Sequence, residues 1–232
     1  MIKAVFFDID DTLYSFTRLH REGMRRVFDY AKGELGIDKA MLQRALEQAM
    51  KEIADYTALD SPVTHNRQIR FQNALTLLKK PIYPHGSRMY ELYWDSILEG
   101  ATPEPGLIKL LEGLKEKGIY LGIGTDMTSW IQNKKLEKLG IAAYFDAVVT
   151  CEEAGADKPS KMFFELCVKK AGCRPEESLF IGDSLKKDVL GPRKIGMNSA
   201  CYNRYSKVTR EEAGCVIEDY QTYLTEVLHK IP

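Results

Sequence analysis

Apolar residues run almost without interruption from Ile2 to Phe7 and stop at acidic ones, the pattern of a strand buried on both faces whose carboxyl end meets something polar. Three later segments repeat it. Ile119 to Ile123 ends at Gly124-Thr125-Asp126, Ala147 to Val149 ends near Thr150, and Ser178 to Ile181 ends at Gly182-Asp183. Between them the apolar period changes to that of helices, over Leu107 to Lys117, Ser129 to Leu139, Lys161 to Ala171 and Leu185 to Ile195. Strands alternating with helices predict a parallel sheet with crossover helices. In such sheets ligands sit outside the carboxyl ends of the strands, where the polar residues just named converge.

The alternation is interrupted once. From Ser15 to about Ala101 no buried-strand run occurs, and the spacing predicts helices over Phe16 to Leu35, Lys39 to Thr57, Thr64 to Leu78 and Pro84 to Glu99. The expected organisation is therefore a main domain of residues 1–14 and 102–232 with an all-helical insertion at 15–101, placed as a lid over the strand ends. Thr102-Pro103-Glu104-Pro105-Gly106 is turn-rich and marks the return to the main domain.

Composition narrows the partner. Lys plus Arg and Asp plus Glu number 33 each, so no whole-chain field steers the protein to nucleic acid or anionic lipid, and a small metabolite or a locally charged site fits better. No apolar run reaches the roughly 18 residues that suggest a membrane span, and MIKAVFFDID lacks the pattern of a signal peptide. A cytoplasmic protein is expected. The five cysteines form no C-x-x-C pair and have no histidines at zinc-ligand spacing, so they read as small apolar thiols in a reducing compartment.

The chemistry concentrates at the strand ends. Asp8 and Asp10 follow the first strand, and while the chain stays extended, positions two apart face the same way. Two carboxylates in one site need relief, which a hard divalent ion supplies; magnesium also pairs with phosphate oxygens. Asp and Thr also simply cap turns after strands, so this motif alone leaves both readings open. Thr125 ends the second strand ahead of a helix start near Thr128 or Ser129, where a hydroxyl and free backbone N–H groups can cradle phosphate, although capping by Asp126 or Thr128 would look the same. Lys158, held extended by Pro159, can stabilise carboxylates and a phosphoryl group. Gly182-Asp183-Ser184 closes the set: the glycine permits close backbone approach, Asp183 can reach a metal, and Asp188 can orient waters or Lys158.

At these residues the sequence resembles the haloacid dehalogenase superfamily of phosphatases and phosphotransferases. Asp8, Asp10 and Thr12 match its first motif, D-x-D-x-T/V; Thr125 its second; Lys158 its third; and Gly182, Asp183, Ser184 and Asp188 its fourth, G-D-S-x-x-x-D. The resemblance implies a Rossmann-like three-layer α/β core with sheet order 5-4-1-2-3, and a helical cap between motifs one and two. Asp126 to Lys158 spans only 32 positions, too few for the larger cap other branches carry there. It implies a phosphatase in which Asp8 attacks phosphorus to form an aspartyl-phosphate and Asp10 serves as general acid and then base. Magnesium would be held by Asp8, Asp183 and the backbone carbonyl of Asp10; Thr125, Asp126 and Lys158 would bind the phosphoryl oxygens, with Asp188 and Ser184 behind them. The acid role calls for a protonated Asp10, so neighbouring carboxylate charge is expected to raise its pKa, offset by magnesium and Lys158. Many relatives have Asn where this chain has Asp126, which changes what that side chain can offer.

Rivals on the same fold are a 2-haloacid dehalogenase, which lacks the second acid of motif one and so fits Asp10 poorly, and a sugar phosphomutase, which keeps every motif. A phosphonate-cleaving relative would need a Schiff-base lysine, and Lys32, Lys39 and Lys51 are not distinguished for it. A non-catalytic binding protein would be expected to have lost a motif. A dinucleotide-binding fingerprint fails at Met127. The expected substrate is a small phosphorylated metabolite, a sugar phosphate or nucleoside monophosphate. Arg18, His20 and Arg21 are candidates for the mouth of the site, and His65, Arg67, Arg70, Tyr90 and Trp94 for cap contacts, each more readily a solvated or packing residue.

Overall fold

A computed structural model describes residues 1–57, 61–205 and 207–221. In chain order the elements are β1 (Ala4–Phe7), α1 (Phe16–Leu35), α2 (Lys39–Tyr56), α3 (Arg67–Leu77), α4 (His85–Gly100), α5 (Leu107–Glu116), β2 (Tyr120–Thr125), α6 (Ser129–Lys138), β3 (Ala147–Thr150), α7 (Cys151–Ala154), α8 (Lys161–Ala171), β4 (Ser178–Gly182), α9 (Leu190–Arg193), β5 (Asn198–Tyr202), α10 (Arg210–Ala213) and β6 (Val216–Ile217).

The chain divides into two compact units, residues 1–15 with the described residues from Thr102 onward, and Phe16–Ala101. Ser15, expected with the insertion, falls in the first. That unit holds a parallel sheet of order β3-β2-β1-β4-β5-β6. The sixth strand extends the five-strand order expected; it is only Val216–Ile217, too short for a period-2 pattern to register. The central strands are buried on both faces, as their unbroken apolar runs require. In β2 that burial depends on small residues. A Cβ on Gly122 would overlap the Phe6 ring, and one on Gly124 would sit 2.6 Å from Phe180 Cε2, so the two glycines make room for aromatics of β1 and β4. Phe163, Phe164 and Phe180 stack edge to face beneath them.

One expected helix takes another form. Leu185 to Ile195 is a π-helical turn over Leu185–Val189 followed by the short α9. The turn starts at Ser184, whose hydroxyl accepts from Lys187 N–H while its own N–H donates to Asp188 at 3.0 Å. Wide turns of this kind recur at functional sites because they re-aim side chains. At α6, Thr128 makes no side-chain capping bond; the Ser129 N–H donates to Glu152 at 2.7 Å, so the cap comes from α7.

Among the described residues, the second unit is built on the four helices α1 to α4. Apolar faces meet around Val27 and Ala31 of α1, Leu42 and Ile53 of α2, Phe71 and Leu75 of α3, and Met89, Tyr93 and Ile97 of α4. Gly23 lets α1 approach α4, since a Cβ there would lie 3.0 Å from Tyr93. Asn66 starts α3, its side chain accepting from Gln68 and Ile69 N–H. The segment ahead of it, expected within the helix, is a 3-10 turn over Pro62–His65. No described helix is long and apolar enough to cross a membrane.

Candidate active site

Parallel pairing sends β1, β2 and β4 out of the sheet on the same edge, and the residues that follow them meet there. β1 delivers Asp8, whose N–H bonds Ile181 O at 2.9 Å; β2 ends on Thr125; β4 ends on Gly182 and hands on to Asp183. The chain turns sharply after Asp10, with Asp11 at φ 55°.

Lys158 is the buried hub. Its ammonium donates to Asp8 Oδ1 at 2.8 Å, to Asp188 Oδ1 at 2.7 Å and to Gly124 O at 3.2 Å, above the Phe180 ring. Burial works against its charge, but Asp188, Asp8 and Asp126 outweigh it and hold the amine protonated well above the ordinary lysine range. The carboxylates are less well served. Burial, with the nearby charge of Asp188 and Asp10, pushes Asp8 up to about 7 despite Lys158. Burial and then Asp8, Asp188 and Asp11 push Asp183 up to about 8. Asp8, Asp183 and Asp188 each offer an oxygen within 4.8 Å of the others. An all-oxygen set with more acid than base, in which Asp8 and Asp183 resist ionisation, fits a hard divalent cation.

Asp10 stands apart from that cluster. Its carboxylate receives the Lys135 ammonium on both oxygens, at 2.7 and 2.8 Å, and the Tyr14 hydroxyl at 2.7 Å. The cation beside it is thus Lys135, not Lys158, to which the sequence assigned that effect. Its side-chain oxygens are not among the clustered metal-ligand atoms, leaving its backbone carbonyl as the contribution expected there.

Thr125 is buried, and its hydroxyl accepts from Gln132 Nε2 at 2.6 Å, the same amide that donates to Asp126 O at 2.8 Å. The Asp126 carboxylate faces the protein: it accepts from Lys158 N–H at 3.0 Å and from the Lys187 ammonium at 2.6 Å. Burial raises its pKa, but Lys158 and Lys187 more than compensate and hold it below the usual range. An ionised carboxylate accepts and cannot donate, so what Asp126 can offer a phosphate is its backbone N–H. Its side chain instead ties the loops after β2, before α8 and after β4 together.

Four residues of this arrangement were not singled out in the sequence: Tyr14, Gln132, Lys135 and Lys187. Gln132 and Lys135 did leave a trace, since they share the buried face of α6 with Ile131 and Leu136, where polar side chains need partners.

The model of one family, described as haloacid dehalogenase-like hydrolase, matches residues 2–196. Among curated proteins, ribulose-1,5-bisphosphate 5-phosphatase of Halopiger xanaduensis is 31% identical over 88% of this chain and 85% of its own. Glyceraldehyde 3-phosphate phosphatase of Methanopyrus kandleri is 33% identical over 85% and 82%. Among solved structures, a HAD phosphatase from Thermococcus onnurineus superposes with a TM-score of 0.76 at 29% identity, covering 98% of each chain.

Proposed function

The chain belongs to the haloacid dehalogenase-like hydrolases, and from that premise we propose that it is a magnesium-dependent phosphatase of small phosphorylated metabolites, acting through an aspartyl-phosphate on Asp8. The observation that carries the reading is the buried cluster at the strand ends, where Asp8 is bonded to Lys158 and crowded by Asp183 and Asp188. The names of these relatives favour a sugar phosphate as substrate. The protein is expected to work in the cytoplasm, where buried thiols such as Cys151 and Cys167 stay reduced.

Asp8, Asp183 and Asp188 would hold the magnesium ion together with the Asp10 carbonyl, and when bound it neutralises charge on the cluster and on the phosphoryl oxygens. Asp8 attacks phosphorus with one carboxylate oxygen as the ester oxygen departs, and Asp10 gives that oxygen a proton. Asp10, now ionised, takes a proton from the water that attacks the aspartyl-phosphate, which releases inorganic phosphate and restores both carboxyls. Lys158 holds the Asp8 carboxylate in place and faces the developing charge, while the Thr125 hydroxyl, fixed by Gln132, bonds a phosphoryl oxygen. Lys135 and Tyr14 set the direction of the Asp10 carboxyl. Phosphate release from p-nitrophenyl phosphate and a panel of sugar phosphates and nucleotides, with magnesium or EDTA, tests this. Turnover should require the ion and vanish in Asp8→Asn; metal-independent turnover, or turnover surviving in Asp8→Asn, would refute it.

A further inference from the structure

The turn between β2 and α6 is held from outside by Thr150, Cys151 and Glu152. Thr125, the last residue of β2, pairs with Thr150 of β3. The Met127 N–H donates to the Cys151 sulfur at 3.1 Å, and the Cys151 thiol donates to Met127 O at 3.4 Å. The Ser129 N–H, at the start of α6, donates to Glu152 at 2.7 Å. These contacts step along both segments together, so the turn is fastened to the junction of β3 and α7.

Met127 is the residue that needs fastening. Its φ of 86° lies in the left-handed region, where a long side chain is uncommon and persists only when its surroundings impose it. It is also buried, so its N–H and C=O have little water to turn to. One thiol bonds both. Burial, and then the charges of Asp157 and Asp126, hold that thiol far above its ordinary range, so it remains an S–H able to donate while its sulfur accepts.

The sequence offers Cys151 as a small apolar residue, and it does pack in the cluster of Val149, Phe163, Phe164 and Phe180. Packing accounts for the burial but asks for no hydrogen bond, whereas this sulfur lies against both backbone polar groups of one strained residue. The turn it holds carries the groups that would meet phosphate. Asp126 O receives the Gln132 amide that also bonds the Thr125 hydroxyl, and Asp126 offers its backbone N–H one position before Met127.

We propose that Cys151 is a positioning residue of the phosphate cradle, its thiol keeping Met127 left-handed and thereby fixing Thr125 and the Asp126 N–H where a phosphoryl oxygen binds. The phosphate part rests on the phosphatase reading above; the hold on Met127 does not. The sulfur touches no reacting atom and acts only through the backbone of the turn.

Two substitutions set packing against hydrogen bonding. Cys151→Val keeps apolar volume and loses both bonds, while Cys151→Ser keeps a donor and an acceptor and loses the apolar sulfur. With magnesium and p-nitrophenyl phosphate, Cys151→Val should lower kcat/KM and weaken competitive inhibition by inorganic phosphate, each about tenfold or more, and Cys151→Ser should stay within about threefold of wild type. Cys151→Ala, with room but neither bond, should follow Cys151→Val and replaces it if the larger side chain prevents folding. A packing role orders the variants the other way, with Cys151→Val the better tolerated. Met127→Gly adopts the left-handed turn without strain, so in its background Cys151→Val should cost less than about threefold. Cys151→Ser falling below Cys151→Val, or a Cys151→Val loss undiminished beside Met127→Gly, overturns the positioning role.

Amide hydrogen exchange reads the turn without turnover. The Met127 N–H should exchange about tenfold or more faster in Cys151→Val than in wild type, and near the wild-type rate in Cys151→Ser. Equal rates in all three overturn the hold on Met127. A faster rate in Cys151→Val, in a protein whose wild type hydrolyses nothing, upholds the hold and removes the phosphatase reading instead.

Discussion

Replacing Lys158 by Met should destabilise the protein by an amount that grows with pH. The ammonium is buried and is the positive charge bonded to both Asp8 and Asp188, at 2.8 and 2.7 Å. Met fills similar volume and removes only the charge and its hydrogen bonds. Asp8 is already raised to about 7 with Lys158 in place, so the carboxylate that loses its counter-charge at both pH values is Asp188; a carboxylate of ordinary pKa 3.8 that must take up a proton to stay buried costs about 1.36 kcal/mol for each pH unit above that value. One such carboxylate amounts to about 1.6 kcal/mol at pH 5 and about 5.7 kcal/mol at pH 8. The second figure is a ceiling, because breaking a buried ion pair from one side costs about 3–5 kcal/mol once water and relaxation respond.

Chemical denaturation in EDTA, which keeps divalent ions from replacing the lost charge, reads both values. The expected losses are about 1–2 kcal/mol at pH 5 and about 3–5 kcal/mol at pH 8; in thermal melts the second corresponds to roughly 10 °C for a chain of this size. A loss equal at the two pH values, or below about 1 kcal/mol at pH 8, would show that the ammonium does not offset the acidic cluster and would refute the electrostatic account of the site.

Four further outcomes follow from the same geometry. Asp8 and Asp183, at about 7 and about 8, bind more protons folded than unfolded, so the stability they contribute is fully present below the ordinary carboxylate value and is lost as pH rises through 7 to 8; melts with and without magnesium should show a stabilisation by the ion larger at pH 8 than at pH 5. Lys135→Met should lower kcat about tenfold or more with little change in KM, because it frees the acid–base carboxyl without touching the nucleophile; steady-state kinetics checks it. Asp126→Asn keeps an acceptor for Lys158 N–H but loses the charge paired with Lys187, and should lower stability by about 1–3 kcal/mol in denaturant titration while retaining measurable turnover. Gly124→Ala forces a methyl to within 2.6 Å of Phe180 and should cost about 1–3 kcal/mol by overpacking, seen as a lower denaturation midpoint.

The buried strands were legible because each is apolar on both faces and stops at a polar residue, and Phe16–Leu35 and Lys161–Ala171 because their periods are long and regular. The turn after Ser184 was not. Its side chains have helical spacing, and the π-helical form depends on Asp188 reaching back to the Ser184 N–H, a tertiary choice that local propensity does not encode. β6 was missed because two residues carry no period. At the site, Asp8, Thr125, Lys158, Asp183 and Asp188 could be named from element ends and spacing. Lys135 could not, since its partner Asp10 lies 125 positions away and the two meet only after β1 and β2 have paired. The same holds for Asp126: the sequence gives its charge, but only the fold supplies the Lys187 that claims it.

The placement of the lysines gives a physical reason for two neighbouring acids to take different roles. Asp8 shares Lys158 with Asp188 and stands beside Asp183, so its ionisation is incompletely offset by the protein and is coupled to whatever cation the cluster takes up. A nucleophile needs that coupling, because the charge it loses on attack is balanced by the ion and the phosphoryl group. Asp10 receives the Lys135 ammonium on both oxygens, and a hydroxyl from Tyr14. Its position is therefore set by the protein whether or not the cluster is filled, which suits a group that must give up a proton and take one back within a single turnover. Loading the cluster should accordingly change the proton held at Asp8 and leave the Asp10–Lys135 pair in place. Carboxyl resonances of the two residues, followed by NMR through a magnesium titration, distinguish this from a site in which both acids respond together.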